Sequence, residues 1–169
     1  AQDVLLIPFG STWKYLDNGS NQGTAWRATA FNDAAWASGP AELGYGDGDE
    51  ATVVSYGPSS SAKYITTYFR HSFTITDQSA HRGYLLRLKK DDGAIVYANG
   101  TEVMRANVSQ GTIGYTSTAY TGIGGNEEGL VFELLLPLGS FTSGTNTIAV
   151  EVHQDAATSS DLSFDLQLT

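Results

Sequence analysis

The sequence predicts an all-β protein, an antiparallel β-sandwich of the jelly-roll type. Three observations predict it: nine short strand-like runs, turn residues between successive runs, and no apolar repeat of 3.6 residues longer than two helical turns. The runs cover residues 4–7, 11–16, 66–75, 83–90, 95–98, 102–105, 130–136, 146–154 and 163–168.

Each run has its own pattern. The first two are short and separated by Pro8-Phe9-Gly10. In 66–75, Tyr68, Arg70 and Ser72 share one face, and Phe69, His71 and Phe73 the other. In 83–90, Leu86 and Leu88 oppose Leu85, Arg87 and Lys89. Asn99-Gly100 between the next two runs is a hairpin signal, because a type I′ turn needs positive φ at both central residues. In 146–154, Ile148, Val150 and Val152 alternate with Thr147, Ala149, Glu151 and His153; in 163–168, Phe164, Leu166 and Leu168 alternate with Ser163, Asp165 and Gln167. Such alternation predicts strands with one buried and one wet face. A short helical turn is expected near Asn32–Trp36, capped by Asn32 or Asp33. Long loops are expected at 17–63 and 107–128. Loops of this length are usually functional or covering segments. No internal repeat or boundary divides the chain, so 1–169 is read as a single β-sandwich domain.

Bulk composition narrows the function. The chain has 169 residues, 41% of them hydrophobic and 16% charged, enough to bury a core without disulfides or metals. Nine basic residues stand against eighteen acidic ones, a net charge of −9, and Lys89-Lys90 is the one adjacent basic pair. Phosphate backbones and acidic membrane leaflets repel such a chain, so neither nucleic acid nor membrane insertion is expected; neutral ligands and cations suit it better. The absence of Cys excludes thiolate catalysis and Cys-ligated zinc. No run approaches the length of a membrane span. Few lysines, no cysteine and much Gly, Ser, Thr and Asn point to a secreted, extracellular protein. Ala1-Gln2-Asp3 reads either as a mature terminus or as a cut within a longer chain.

Three groups of residues carry candidate chemistry. Asp47, Asp49 and Glu50 lie within Gly46-Asp47-Gly48-Asp49-Glu50. Three carboxylates this close repel unless solvated or neutralised, and hard oxygen ligands suit Ca²⁺. The spacing is not that of an EF-hand, so a calcium turn and a solvated acidic turn both stand. Asp161 is a further candidate metal ligand, from the C-terminal end of the chain. Arg70 is expected to pair with Asp91 or Asp92, a fork that either orients a sugar hydroxyl or serves the fold. His153 and Gln154 end a strand where rim loops gather; His153 either serves the fold, as a lone His usually does, or contacts a ligand together with Asp91, Asp92 or Tyr45. Trp26, Tyr45, Tyr56, Tyr64, Tyr115 and Tyr120 fall in loop-like sequence, where rings either anchor loops or stack on sugars. Trp36 is expected to anchor its loop to the core.

Enzyme signatures are missing: there is no G-x-S-x-G elbow, HExxH, P-loop or G-x-G-x-x-G. His71, His81 and His153 lack ligand spacing. Asp91-Asp92 and Glu127-Glu128 are paired carboxylates, but sequence neighbours seldom face one cleft as a glycosidase pair must. No catalytic residue is assigned.

The stretch from Lys90 to Arg105, with Asp91-Asp92-Gly93, Val96-Tyr97 and Asn99-Gly100-Thr101-Glu102-Val103, resembles a hairpin of bacterial galactose-binding-like β-sandwich domains. Phe31-Asn32-Asp33-Ala34-Ala35-Trp36, Tyr68-Phe69-Arg70, and Ala149-Val150-Glu151-Val152-His153-Gln154 with Ser159-Ser160-Asp161-Leu162-Ser163-Phe164-Asp165-Leu166 are similar to further segments of that family. The strand carrying Tyr68-Phe69-Arg70 is also similar to the accessory sandwich of some glycosidases. The resemblance runs from about Trp13 to Leu168 and departs at Ala98, where the pattern has a larger apolar residue; Gly122-Ile123-Gly124-Gly125-Asn126-Glu127-Glu128 matches no part of it. Such domains usually sit beside catalytic domains in secreted proteins and often carry one structural Ca²⁺. The resemblance therefore implies a non-catalytic carbohydrate-binding or targeting module, with a glycan and neighbouring domains of its parent protein as partners. A structural or protein-interaction module is the alternative. On this reading Tyr45, Tyr64, Arg70, Asp91, Asp92, His153 and Gln154 are the expected ligand contacts.

Overall fold

In the computed structural model, which describes residues 3–169, two packed sheets make an antiparallel β-sandwich. Ala1 and Gln2, on which the reading of the amino terminus rests, lie outside the described residues. One sheet has six strands: β1 (Thr12–Leu16), β2 (Ala37–Pro40), β5 (Thr66–Ile75), β7 (Gly93–Ala98), β8 (Thr101–Ala106) and β10 (Gly144–His153), in the order β2-β1-β5-β10-β7-β8. The other has five: β3 (Leu43–Tyr45), β4 (Thr52–Val53), β6 (Tyr84–Asp91), β9 (Phe132–Leu136) and β11 (Leu162–Leu168), in the order β4-β3-β11-β6-β9. Every named pair is antiparallel except β3–β4.

The inward face of each strand fills the space between the sheets. Leu86, Leu88, Ile148, Val150, Val152, Phe164 and Leu166 are fully buried there with Trp13 and Phe69. Phe164 is the hub: Phe69 stacks on it at 4.3 Å and Trp13 meets it edge-on at 4.8 Å. The expected Asn99-Gly100 turn is present, with φ of 47° and 89°, and joins β7 to β8. Asp91-Asp92-Gly93 carries the chain from one sheet to the other.

Four expectations are corrected. The 4–7 run forms no strand; Ile7 alone makes a bridge, to Leu168. The 17–63 loop contains β2, β3, β4 and a 3-10 turn at Ala25–Arg27. These strands are two to four residues long and rich in Gly, Ala, Ser and Pro, so they show no alternation to read. Residues 32–36 make a turn and not a helix: Asn32 Oδ1 accepts from the Ala34 amide, while the Asp33 carboxylate is held by Arg70. Lastly, the outer face of β10 is dry. Ala149, Glu151 and His153 lie beneath the loops, beside a second apolar cluster of Trp26, Trp36, Tyr68, Ile95, Tyr97 and Val108. Trp36 is buried in that cluster, so it anchors its loop as expected.

Candidate functional site

At one rim of the sandwich, the ends of β3, β6 and β10 meet the start of β11. Their approach depends on two glycines. A Cβ on Gly44 would stand 1.8 Å from the Leu162 carbonyl oxygen, and one on Gly46, at φ 106°, would be 2.7 Å from that of Ser160. The bare backbone lets β3 lie against β11 and brings Asp47 beside Asp161, residues far apart in sequence. Ser163 Oγ then donates to Asp47 Oδ2 at 2.8 Å. Carboxylate oxygens of Asp47, Asp161 and Glu128 lie within 4.8 Å of one another.

Asp91 lies on the neighbouring strand, paired with the Ser163 that holds Asp47. It is fully buried, and no donor reaches either carboxylate oxygen. Burial, together with the adjacent Asp92 carboxylate and the charges of Asp161 and Asp47, pushes its pKa far up. Gln154 adds another orphan: its Nε2 donates to Tyr45 Oη at 2.6 Å and to the Asp161 carbonyl at 2.5 Å, while its buried Oε1 receives nothing. Burial pushes the Tyr45 hydroxyl up to about 12, which keeps it neutral. The cluster thus offers hard oxygen donors with few protons to share, a donor set that fits Ca²⁺. Asp47, Glu128 and Asp161 are the residues that would hold it, with Asp91 and the Gln154 amide oxygen as the unpartnered oxygens at the same rim.

Asp92 has a different role. Its Oδ1 accepts from the Ile123 amide at 2.6 Å, and its Oδ2 from the Asp155 amide at 2.8 Å and Ser159 Oγ at 3.3 Å. One carboxylate therefore ties the 107–128 loop and the β10–β11 connection to the rim. Lys90 Nζ supports the same turn by donating to the Asp92 carbonyl at 2.7 Å. Neither Asp91 nor Asp92 is exposed, so this carboxylate pair presents no open cleft.

The remaining expected residues scatter. Asp49 groups with Glu42 and Asp47 on the exposed side of the turn, and Glu50 closes that turn by accepting from the amides of Asp47 and Gly48 at 2.9 and 3.0 Å. Arg70 does not pair with Asp91 or Asp92. It is buried on the outer face of the six-stranded sheet, bound to Asp33 at 2.8 Å and to the carbonyls of Trp26, Ala28 and Phe31. The reason is register: β5 places Arg70 opposite Ala149, mid-strand and away from the rim. Tyr64 lies on Gly19 and Gly57, where an added Cβ would come within 2.4 and 2.9 Å of its ring. His153 points to the outer face, its Nδ1 2.7 Å from the Ser117 carbonyl and its Nε2 3.2 Å from Glu151. Of the expected contacts, Tyr45, Asp91, Asp92 and Gln154 share the rim with Asp47 and Asp161.

Glu128, noted in the sequence only as half of a carboxylate pair, was not anticipated in this group, since its loop has neither strand pattern nor motif to place it. Its approach to Asp47 and Asp161 depends on the 107–128 fold-back that Asp92 secures.

No protein-family model matches the sequence, and no significant relative is found among curated proteins. Solved structures do match. The whole sandwich resembles a part of several glycosidases. A β-glycosidase from Bacteroides vulgatus superposes with a TM-score of 0.59 at 15% identity, over 96% of this chain and 20% of the other. A glycosyl hydrolase family 2 member from Bacteroides cellulosilyticus gives 0.59 at 15% identity, over 98% and 21%. A β-glucuronidase from an uncultured Clostridium gives 0.54 at 15%, over 90% and 23%. This likeness is one of fold, and the chain spans about a fifth of the length of these proteins.

Proposed function

We propose that this chain, read as one domain over 1–169, is a non-catalytic carbohydrate-binding or targeting module of a larger secreted protein, with one structural Ca²⁺ at the rim. The observation that carries the reading is the match of nearly the whole sandwich to about a fifth of each of several glycosidases. A sandwich of this size beside a catalytic domain acts by tethering: a weak sugar contact becomes an effective concentration on the order of millimolar at the substrate. The calcium reading is supported by the Asp47, Glu128 and Asp161 carboxylates gathered at the rim, and by Asp91, a buried carboxyl group without a donor whose pKa burial raises and the charges of Asp161 and Asp47 help to raise. The ion would neutralise the clustered carboxylates and tie Glu128 to the strand ends.

A second reading has its own observation. β9 is an edge strand, and Leu130, Val131 and Leu135 beside it are exposed, Leu135 by 77%. An apolar edge of this kind suits packing against a neighbouring domain of the parent protein.

Binding of the intact 169-residue chain to a broad glycan array, with Ca²⁺ and again with EDTA, separates the two. A consistent class of sugars is the expected result. No hits from demonstrably folded protein in either buffer would leave the interdomain reading in its place.

A further inference from the structure

Buried polar atoms without partners are concentrated in two places. Among the described residues eight such side-chain atoms occur; three are the rim oxygens of Asp91 and Gln154, and three more are Arg27 Nε, Tyr115 Oη and His153 Nε2. The second three line one pocket of about 160 Å³, on the outer face of the six-stranded sheet and apart from the acidic rim. Its floor is β5 and β10, presenting Thr66, Tyr68, Glu151 and His153; its walls come from the loop bearing Arg27 and the loop bearing Tyr115.

The polar groups converge on a carboxylate that is poorly served. Glu151 is only 4% exposed, yet its neighbours stand off: Arg27 Nη2 at 3.7 Å, Tyr97 Oη at 3.5 Å and His153 Nε2 at 3.2 Å. The His153 Nδ1 proton is directed to the Ser117 carbonyl at 2.7 Å, so in the neutral ring Nε2 is a bare acceptor beside another acceptor. A ligand hydroxyl in the pocket could donate its proton to one of the two and so relieve the conflict. Arg27, held over the Tyr97 ring at 4.2 Å, and the Tyr115 hydroxyl supply donors, while Tyr68 and Tyr115 stack at 6.4 Å and offer an aromatic surface.

We propose that this pocket binds a single neutral sugar residue, as the terminal unit of a glycan or as a free monosaccharide, with Glu151 as the principal hydroxyl acceptor. The inference rests on the carbohydrate-binding reading above and gives it a location and a ligand class. Neutrality follows from charge: Glu151 and Arg27 cancel, and a chain of net charge −9 repels uronic acids. One ring follows from size, since ligand pockets for larger molecules run to about 300–1,000 Å³. Hydroxyl recognition follows from the mixture of a loosely held carboxylate with one guanidinium, one imidazole and one phenol, each of the last three carrying an unpartnered polar atom, ringed by aromatic carbon.

The test titrates free neutral monosaccharides (hexoses, pentoses and deoxyhexoses) and a uronate into the intact chain, followed by NMR or calorimetry. The same protein is screened against polysaccharides. Wild type should bind at least one neutral sugar. Glu151→Gln should weaken it tenfold or more, Tyr115→Phe several-fold, and Arg87→Gln on the opposite sheet should leave it unchanged. Tyr115→Phe removes only an unpartnered hydroxyl, so it decides the matter if Glu151→Gln fails to fold. Polysaccharide binding that free sugars do not compete for, or that survives both pocket substitutions, overturns this inference and leaves the module reading standing. Preference for the uronate also overturns it. No glycan binding at all removes both.

Discussion

Gly44 lies against Leu162 so closely that a Cβ would sit 1.8 Å from the Leu162 carbonyl oxygen. The contact seats β3 on β11 and thereby sets Asp47 beside Asp161. Backbone cannot move aside as a flexible side chain can, so Gly44→Ala should destabilise the fold by about 3 kcal/mol. Thermal denaturation reads the loss directly. A melting temperature within one degree of wild type would mean that the approach of β3 to β11 is looser than described.

Calcium should raise the melting temperature, and EDTA should lower it. At one hundred times the dissociation constant the gain is about 2.7 kcal/mol. Asp91→Asn should lose this calcium-dependent shift. Without calcium, the same substitution should be neutral or stabilising, because it replaces a buried carboxyl group that no donor serves and that burial holds in its protonated form. If Asp91→Asn lowers stability equally with and without the ion, Asp91 serves the fold alone.

Asp165 makes stability depend on acidity. Burial pushes its carboxyl up to about 6 from 3.8, against hydrogen bonds from the Gly10 and Leu166 amides. The folded chain therefore holds a proton that the unfolded chain has already lost. This contribution is complete below pH ~4 and is lost as pH rises through 6, a total of about 3 kcal/mol. Other carboxylates act over the same range, so the quantity to measure is the difference between wild type and Asp165→Asn. That difference should slope across pH 4–6 and flatten outside it. A constant difference would show that Asp165 titrates alike in both states.

Arg70 clamps Asp33 and three loop carbonyls with one guanidinium. A lysine ammonium cannot span that set, so Arg70→Lys should cost about 2–4 kcal/mol. Cleavage by trypsin at Arg27 should accelerate, because the flanking carbonyls of Trp26 and Ala28 lose their tie. Unchanged stability together with unchanged proteolysis would argue that the loop is held by Trp26 and Trp36 packing instead.

Several of these elements were legible in the chain itself. Alternation in 83–90, 146–154 and 163–168 marks inward faces that are indeed buried, because a period of two in apolar side chains has one physical use in a sandwich. Asn99-Gly100 specifies its own turn through backbone conformation. The acid-rich 46–50 segment and Asp161 stood out as carboxylates by residue type alone, and the structure brings Asp47 and Asp161 together. β2, β3 and β4 were not visible, since strands that short owe their existence to the partner they pair with.

The sequence by itself determined the inward faces, the hairpin and the anionic, cysteine-free character, all properties of neighbouring residues or of sums over the chain. Tertiary structure decided the rest. It turned Arg70 from an expected rim contact into a loop anchor, because strand register sets where a side chain emerges. It dried the outer face of β10, because residues distant in sequence fold over it and enclose Glu151 and His153. It gathered Asp47, Glu128 and Asp161 at one rim beside the Asp91 strand end, because residues distant in sequence meet at strand ends only when both sheets have formed.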